Sequence, residues 1–236
     1  MGAMAAMNLL ETKGLHKEFG GLTAVNSVDF ALPKGQVHAL IGPNGAGKST
    51  FVGIVSGRIT PSAGQVWFQG QDITKMPAHA RMRLGMAYTF QITAIYARLS
   101  LFDNLALALG STDRGKVLDA LDRVGLAGRA AQIAGDLAYG HQRLLEIAMG
   151  VAQSPQLLIL DEPTQGLAES EIAGFNTLVK HLAGETTILL IEHNMNVVMA
   201  VAEAITVLES GAVLASGTPG AIRANPAVQS AYLGTG

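Results

Sequence analysis

Short apolar runs alternate along the chain with longer segments in which apolar residues recur every three or four positions. Runs bounded by turn residues are typical of strands buried on both faces of a sheet, and the longer spacing is typical of helices. The predicted strands are residues 36–41, 64–68, 85–90, 157–160, 186–191, 204–208 and 212–215. Because these strands alternate with helical segments, the pattern predicts an α/β fold, with a more antiparallel region near the N-terminus.

The strand pattern disappears between residues 100 and 153. Helical spacing takes its place at 101–109, 114–124 and 140–152. We therefore expect one domain over residues 8–236, in which a helical lobe of about 92–153 is inserted into a core of about 8–91 and 154–236. Residues 1–7 are expected to be disordered or to have been added during cloning.

Composition narrows the function classes. The 236 residues are 49% hydrophobic and only 14% charged, with a formal net charge of −2. No basic stripe is present, so we expect no nucleic-acid partner. The chain has no cysteine, which excludes disulfides and thiolate zinc sites. No apolar stretch is long enough for a bilayer and no secretory signal is recognisable, so an intracellular globular chain is expected.

A glycine-rich loop separates the predicted strand 36–41 from a predicted helix that starts near Lys48. The loop reads Gly42-Pro43-Asn44-Gly45-Ala46-Gly47-Lys48-Ser49, which fits the phosphate-binding pattern G-x-x-x-x-G-K-[ST]. Its backbone N–H groups and the helix N-terminus would hold phosphates, Lys48 would reach the β- and γ-phosphates, and Ser49 would bind Mg²⁺. A chance glycine-rich turn is the alternative, and the motif alone does not choose among kinases, GTPases, helicases and transport ATPases.

Two carboxylates end the apolar strand 157–160. Neighbouring side chains of a strand point in different directions, so Asp161 can face Mg²⁺ while Glu162 faces the γ-phosphate and orients or deprotonates the attacking water. The alternative is a solvated pair of carboxylates at a strand end. His193 follows the strand 186–191 and could donate to the γ-phosphate, although from position alone a capping or surface histidine fits as well.

Gln91 closes the strand 85–90. It could bind Mg²⁺ and sense the γ-phosphate, or it could be an ordinary polar residue at a strand end.

Together and in this order, these residues resemble the ABC ATPase family, over roughly Leu9 to Gly234. The resemblance implies a P-loop (RecA-like) ATPase core, ATP and Mg²⁺ as cofactors, and catalytic roles for Lys48, Gln91, Glu162 and His193. It implies Mg²⁺ contacts from Ser49, Gln91 and Asp161, and adenine stacking by Phe19. Further nucleotide contacts are implied for Val25, Asn44, Gly45, Ala46, Gly47, Lys48, Ser49 and Thr50.

The signature motif of the family, commonly LSGGQ, corresponds here to residues 137–141. Ala138, Tyr139, Gly140 and His141 would contact the nucleotide of a partner subunit. Ala138 lacks the hydroxyl of the usual serine, so backbone N–H contacts are expected there. LAYG at 137–140 and the C-terminal tail resemble importer ATPases of the branched-chain amino-acid type, while the loop 166–169 departs from the common pattern.

The resemblance also implies partners. The chain would pair as a homodimer, or as a heterodimer with a paralogous ATPase, on the inner, cytoplasmic face of the cell membrane. Integral-membrane permease subunits would dock near Gln91–Leu99, whose Ile92, Ile95, Tyr96 and Leu99 are unusually apolar for a surface loop. An extracytoplasmic solute-binding protein would act indirectly. The alternative for this segment is a locally buried loop. The alternatives for the whole chain are an ABC ATPase that works without a permease and a P-loop kinase.

Overall fold

The computed structural model describes residues 8–89 and 95–233, without the side chains of the last two residues of the second range. The strands are β1 (Asn8–Phe19), β2 (Leu22–Pro33), β3 (Val37–Ile41), β4 (Ala63–Phe68), β5 (Gln71–Asp72), β6 (Met86–Thr89), β7 (Leu157–Asp161), β8 (Thr187–Ile191), β9 (Ala204–Glu209) and β10 (Ala212–Gly217). The α-helices are α1 (Lys48–Val55), α2 (Ala78–Arg83), α3 (Leu101–Leu109), α4 (Arg114–Asp122), α5 (Tyr139–Val151), α6 (Glu169–Ala183), α7 (Met195–Val201), α8 (Pro219–Arg223) and α9 (Pro226–Leu233).

The N-terminal part of the chain forms a four-stranded antiparallel sheet in the order β2-β1-β4-β5. A two-residue turn joins its two long strands, with φ of 52° at Gly20 and 88° at Gly21. Positive φ at both turn positions suits the right-handed twist of a hairpin and favours glycine. The two long strands are not among the strands predicted from the sequence, although a Gly-Gly pair between alternating segments is a hairpin signal.

The second sheet has six strands in the order β10-β9-β3-β8-β7-β6. Strands β9, β3, β8, β7 and β6 run parallel, and β10 pairs antiparallel with β9 at one edge. Every residue of β3, β7 and β8 is buried, as expected for parallel strands covered on both faces. The loops that leave the carboxyl ends of these three neighbouring strands therefore lie side by side.

A single apolar cluster joins the two sheets to α1. It contains Leu10 and Phe30 from the N-terminal sheet, Phe51 from α1, and Leu157 and Leu189 from the six-stranded sheet. The rings of Phe30 and Phe51 meet nearly edge to face, with centroids 5.3 Å apart. This packing fixes α1, and so the loop before it, against both sheets.

Helices α3, α4 and α5 lie in sequence between β6 and β7 and share a second cluster. Leu105, Leu121 and Leu145 from these three helices are fully buried in it, together with Leu158 of β7. The expectation of a mixed α/β fold with an antiparallel region and an inserted helical segment is confirmed, and a strand is present at each predicted position. Within the described residues, no helix is long and apolar enough to cross a membrane.

Candidate nucleotide-binding site

The loop between β3 and α1 passes so close to neighbouring backbone that it requires glycine. At Gly47, where φ is 98°, a Cβ atom would lie 2.3 Å from the carbonyl oxygen of Ala24. A Cβ atom on Gly42 would lie 2.2 Å from the carbonyl oxygen of Leu208. The glycine spacing of the motif therefore follows from packing, which holds the loop at the N-terminus of α1, where N–H groups favour anions.

Lys48 is buried and its amine lies over this loop. Its Nζ donates to the carbonyl oxygens of Gly42, at 2.7 Å, and Pro43, at 3.0 Å. Burial lowers the pKa of Lys48, whereas the negative charges of Glu162 and Asp161 act in the opposite direction. A cation fixed at the loop and facing two carboxylates is the arrangement expected where phosphate oxygens and a metal ion meet.

A cavity of about 250 Å³ opens beside the loop. The loop contributes Asn44, Gly45, Ala46, Gly47, Lys48, Ser49 and Thr50, and residues distant in sequence contribute Leu22, Thr23, Ala24, Glu162 and His193. The fold thus brings most of the predicted phosphate-binding residues together with three of the four predicted catalytic residues, Lys48, Glu162 and His193.

Asp161 ends β7 and is held by a tyrosine that sequence analysis missed. The Tyr88 hydroxyl, on the neighbouring strand β6, donates to Asp161 Oδ2. Burial raises the pKa of Asp161, and this hydrogen bond opposes that effect. Burial also raises the pKa of Tyr88, whose ring centroid lies 4.0 Å from the Arg58 guanidinium carbon. The phenol therefore remains a donor and fixes the orientation of the carboxylate.

Glu162 has a strained backbone and a close partner. Its φ is 48°, which is uncommon for a residue other than glycine. Its N–H donates to the carbonyl oxygen of Ile191 at 2.9 Å, and its Oε1 lies 2.6 Å from His193 Nε2. The structure brings together the two residues predicted to act on water and on the γ-phosphate. Strain of this kind persists where the surrounding structure over-determines it, often at functional sites.

One buried arginine holds the turn that contains these carboxylates. Arg143 of α5 donates to the carbonyl oxygens of Asp161 at 2.8 Å, Glu162 at 3.3 Å and Pro163 at 3.3 Å. Glu146, one turn further along α5, balances its charge at 2.6 Å. The helix that begins within the signature motif is therefore tied to the turn after β7. No sequence pattern predicts this contact, because the acceptors of Arg143 in the turn are backbone carbonyls, which every residue has.

The residues at the cavity fit a nucleoside triphosphate with Mg²⁺. The loop supplies N–H donors and an ammonium, and Ser49 supplies an oxygen ligand of the kind that Mg²⁺ prefers. Asp161 does not line the cavity, but it ends β7 next to the lining residue Glu162 and would supply a second oxygen ligand. Across the described residues, no group of three or more His, Cys, Asp or Glu side chains converges as a metal cage. Such a sparse donor set suits a cation that takes its remaining ligands from water and phosphate.

The signature motif lies elsewhere, at the start of α5. Ala138 is the N-cap residue of α5 and, like Tyr139, is exposed, whereas Gly140 is buried. A Cβ atom on Gly140 would lie 2.2 Å from Glu171 Oε1 of α6. None of Ala138, Tyr139, Gly140 and His141 lines the cavity beside Lys48. Within one chain, therefore, the motif contacts α6 rather than its own phosphate loop.

The remaining predicted site residues are placed differently. Phe19, at the end of β1, is exposed, and the Lys17 amine lies 4.7 Å from its ring centroid. Val25 is 0% exposed and belongs to the core, so Leu22, Thr23 and Ala24 face the cavity from this region in its place. The local alternation of the strand turns Val25 inward. Gln91 and Ile92 lie outside the described residues.

A second groove runs beside β6, the edge strand of the six-stranded sheet. Its volume is about 320 Å³, and Tyr88 and Glu146 are among its lining residues, with Met82 and Met149. Tyr96, which follows β6 in the chain, is 58% exposed. Its backbone is fixed by the buried Asn104, whose side chain accepts from Tyr96 N at 2.8 Å and donates to Tyr96 O at 3.1 Å.

Comparison with known proteins agrees with this geometry. A model of the ABC transporter family matches residues 25–165, and a model of the branched-chain amino acid ATP-binding cassette transporter matches residues 212–236. The high-affinity branched-chain amino acid transport ATP-binding protein BraF of Pseudomonas aeruginosa is 38% identical, over 96% of this chain and 98% of BraF. LivG of Escherichia coli K12, described in the same terms, gives the same identity and coverage.

The solved structures agree on the fold. The ADP conformation of MJ1267, an ATP-binding cassette of an ABC transporter, has a TM-score of 0.88 at 26% identity, and the match covers 97% of this chain and 99% of that one. These findings confirm the family resemblance and the P-loop ATPase fold expected from the sequence.

Proposed function

We propose that this chain, which belongs to the family of ABC transporter ATP-binding proteins, is the ATP-hydrolysing subunit of an importer. The observation that carries the proposal is the Glu162–His193 pair, 2.6 Å apart at the cavity beside Lys48. The single domain is proposed to span residues 8–236, with the core and helical lobe at the bounds given above.

In the proposed reaction, Lys48 and the N–H groups of the loop hold the β- and γ-phosphates of ATP. Glu162 orients the attacking water and accepts its proton, and His193 orients Glu162 and donates to the γ-phosphate. Mg²⁺, held by Ser49, Asp161 and Gln91, would neutralise charge on the phosphate oxygens. Such positioning and charge stabilisation are the main requirements of phosphoryl transfer to water.

The active unit is proposed to be a sandwich of two subunits, either identical or paralogous. Residues 138–141, at the start of α5, do not line the cavity of their own chain, which supports a site completed by a second subunit. The exposed Ala138 and Tyr139 are available for such contact, and the helix N-terminus favours an anionic phosphate. ATP would then hold the dimer closed, and loss of the γ-phosphate would release it.

The permease is proposed to dock on the segment that contains Tyr96 and Leu99 and in the groove beside β6. An exposed aromatic ring on a fixed backbone is typical of a protein contact, and so is a groove lined by methionines such as Met82 and Met149. This position implies attachment to the cytoplasmic face of the membrane and an indirect link to an extracytoplasmic solute-binding protein. The names of BraF and LivG favour a branched-chain amino acid, or a similar small polar or organic-acid solute, as cargo.

Nucleotide chemistry is tested with Lys48→Ala, using the exposed Lys34→Ala as the matched control. We expect Lys48→Ala to lose ATP binding, whereas wild type and Lys34→Ala bind ATP with Mg²⁺ and release free phosphate. A phosphorylated small-molecule product in place of free phosphate would show a kinase. Unchanged ATP affinity in Lys48→Ala would contradict the proposed site.

The transport role needs a separate experiment. A complex extracted with mild detergent from the native membrane through this chain is expected to contain a multispanning protein. Tyr96→Glu, placed on the proposed docking segment, should abolish that association, and Lys34→Glu on the exposed core surface should retain it. Recovery of the chain without any membrane protein would favour a permease-free ATPase.

A further inference from the structure

Glu192, the residue after β8, is a buried carboxylate with two sets of partners. It is 3% exposed. Its Oε1 accepts hydrogen bonds from Thr164, from the N–H at 2.9 Å and from the hydroxyl at 2.6 Å. Thr164 lies two residues after Glu162 on the turn that follows β7. One oxygen of Glu192 therefore binds the loop that carries Glu162, the proposed water-orienting carboxylate.

The other oxygen of Glu192 binds the loop that carries His193. Glu192 Oε2 accepts from the N–H of His193 at 3.0 Å and from the N–H of Asn194 at 3.1 Å. Asn194 is the N-cap of α7, and its side chain accepts from the first N–H groups of that helix. This loop is thus anchored to a helix on one side and to Glu192 on the other.

We propose that Glu192 is a positioning residue that sets the distance between Glu162 and His193 by linking their two loops. The inference rests on the proposed function, because it assigns Glu192 to the same reaction. Both oxygens accept only N–H or O–H donors, so the site is built for a carboxylate. A glutamine has one acceptor oxygen, and its NH₂ group would face N–H donors on one of the two loops.

The first experiment is Glu192→Gln in the full-length chain, with ATP affinity and steady-state ATPase kinetics measured separately. Because small misplacements of reacting groups are costly, we expect kcat to fall about 10- to 100-fold, with ATP affinity within about twofold of wild type. Glu203→Gln is the matched control, since Glu203 Oε1 also accepts a backbone N–H, that of Val37, at 3.2 Å, but far from the two loops. A kcat equal to that of Glu203→Gln would overturn the proposal.

A double-mutant cycle separates positioning from a merely structural role. If Glu192 acts through the Glu162–His193 pair, its substitution should matter little once the pair is broken. In a His193→Ala background, we therefore expect Glu192→Gln to lower kcat by less than about threefold. Independent, multiplicative losses in kcat would overturn the proposal.

Thr164 provides a second route if Glu192→Gln folds poorly. Thr164→Val removes the hydroxyl that donates to Glu192 and should lower kcat. Thr164→Ser keeps a hydroxyl donor and should retain most of the wild-type kcat. Equal kcat values for the two variants would overturn the proposal. Glu162→Gln distinguishes this failure from failure of the proposed function: if Glu162→Gln keeps wild-type turnover, the assigned reaction itself is wrong.

Discussion

The buried His38 is expected to make the stability of the fold depend on pH. It lies on β3, the strand that leads into the phosphate loop, and it is 4% exposed. Its Nε2 lies 2.8 Å from Thr206 Oγ1, and its ring is tilted over Phe30. Within the described structure its Nδ1 has no hydrogen-bond partner. Burial lowers the pKa of His38 from its ordinary 6.5 to about 4.

The sign and size of the pH effect follow from this shift. Below pH 6.5 the unfolded chain takes up a proton at His38 that the folded chain does not bind until the pH approaches 4. Stability is therefore fully present above pH 6.5 and declines as the pH falls through this window. By linkage, the contribution of His38 to the free energy of unfolding falls by about 2 kcal/mol between pH 7.5 and pH 5.

The assay is urea unfolding at pH 7.5 and pH 5, followed by circular dichroism. His38→Gln keeps a polar group near Thr206 but does not titrate, so its free energy of unfolding should fall by about 2 kcal/mol less than that of wild type over this range. His79→Gln, which removes an exposed histidine, should behave like wild type. An equal pH dependence of the free energy of unfolding in wild type and His38→Gln would refute the assignment of this effect to His38.

Three further predictions address the site and its supports. His193→Ala should lose most ATP turnover while it binds ATP, because the partner that orients Glu162 is gone; unchanged phosphate release would return His193 to a surface role. Gly47→Ala should lower ATP affinity at least ~10-fold in a binding titration, since its Cβ would meet the Ala24 carbonyl at 2.3 Å and a left-handed backbone costs ~1–2 kcal/mol; wild-type affinity would contradict this. Asn104→Ala should lower the free energy of unfolding by ~1–3 kcal/mol and speed hydrogen exchange around Tyr96, because it leaves backbone groups unpaired; unchanged exchange would contradict the anchoring role.

The sequence predicts the parallel sheet well because its strands are buried on both faces. Strands such as 157–160 and 186–191 stand out as uninterrupted apolar runs, and the observed bounds differ by one residue at most. The long strands β1 and β2 alternate buried and exposed residues irregularly, with register shifts along their pairing, so no clean period marks them. The Gly20-Gly21 pair, which favours a hairpin turn, is the feature of the sequence that indicates these two strands.

The candidate site was predictable only where chemistry depends on short motifs. The phosphate loop, Asp161 and Glu162 are contiguous in sequence and could be read directly. Arg143 and Glu192 each bond to the turn after β7, which is far from both of them in sequence, so only the fold reveals this part of their roles. Val25 was assigned from a resemblance that does not specify which way a strand residue points.

The most direct test of the account is phosphate release by Glu162→Gln compared with wild type, both shown to bind ATP with Mg²⁺. A glutamine preserves the shape of the side chain but cannot accept the proton of the attacking water. We expect Glu162→Gln to retain ATP binding and its turnover to fall at least ~100-fold. Turnover at the wild-type rate would contradict the assignment of Glu162, and with it the proposed catalytic centre.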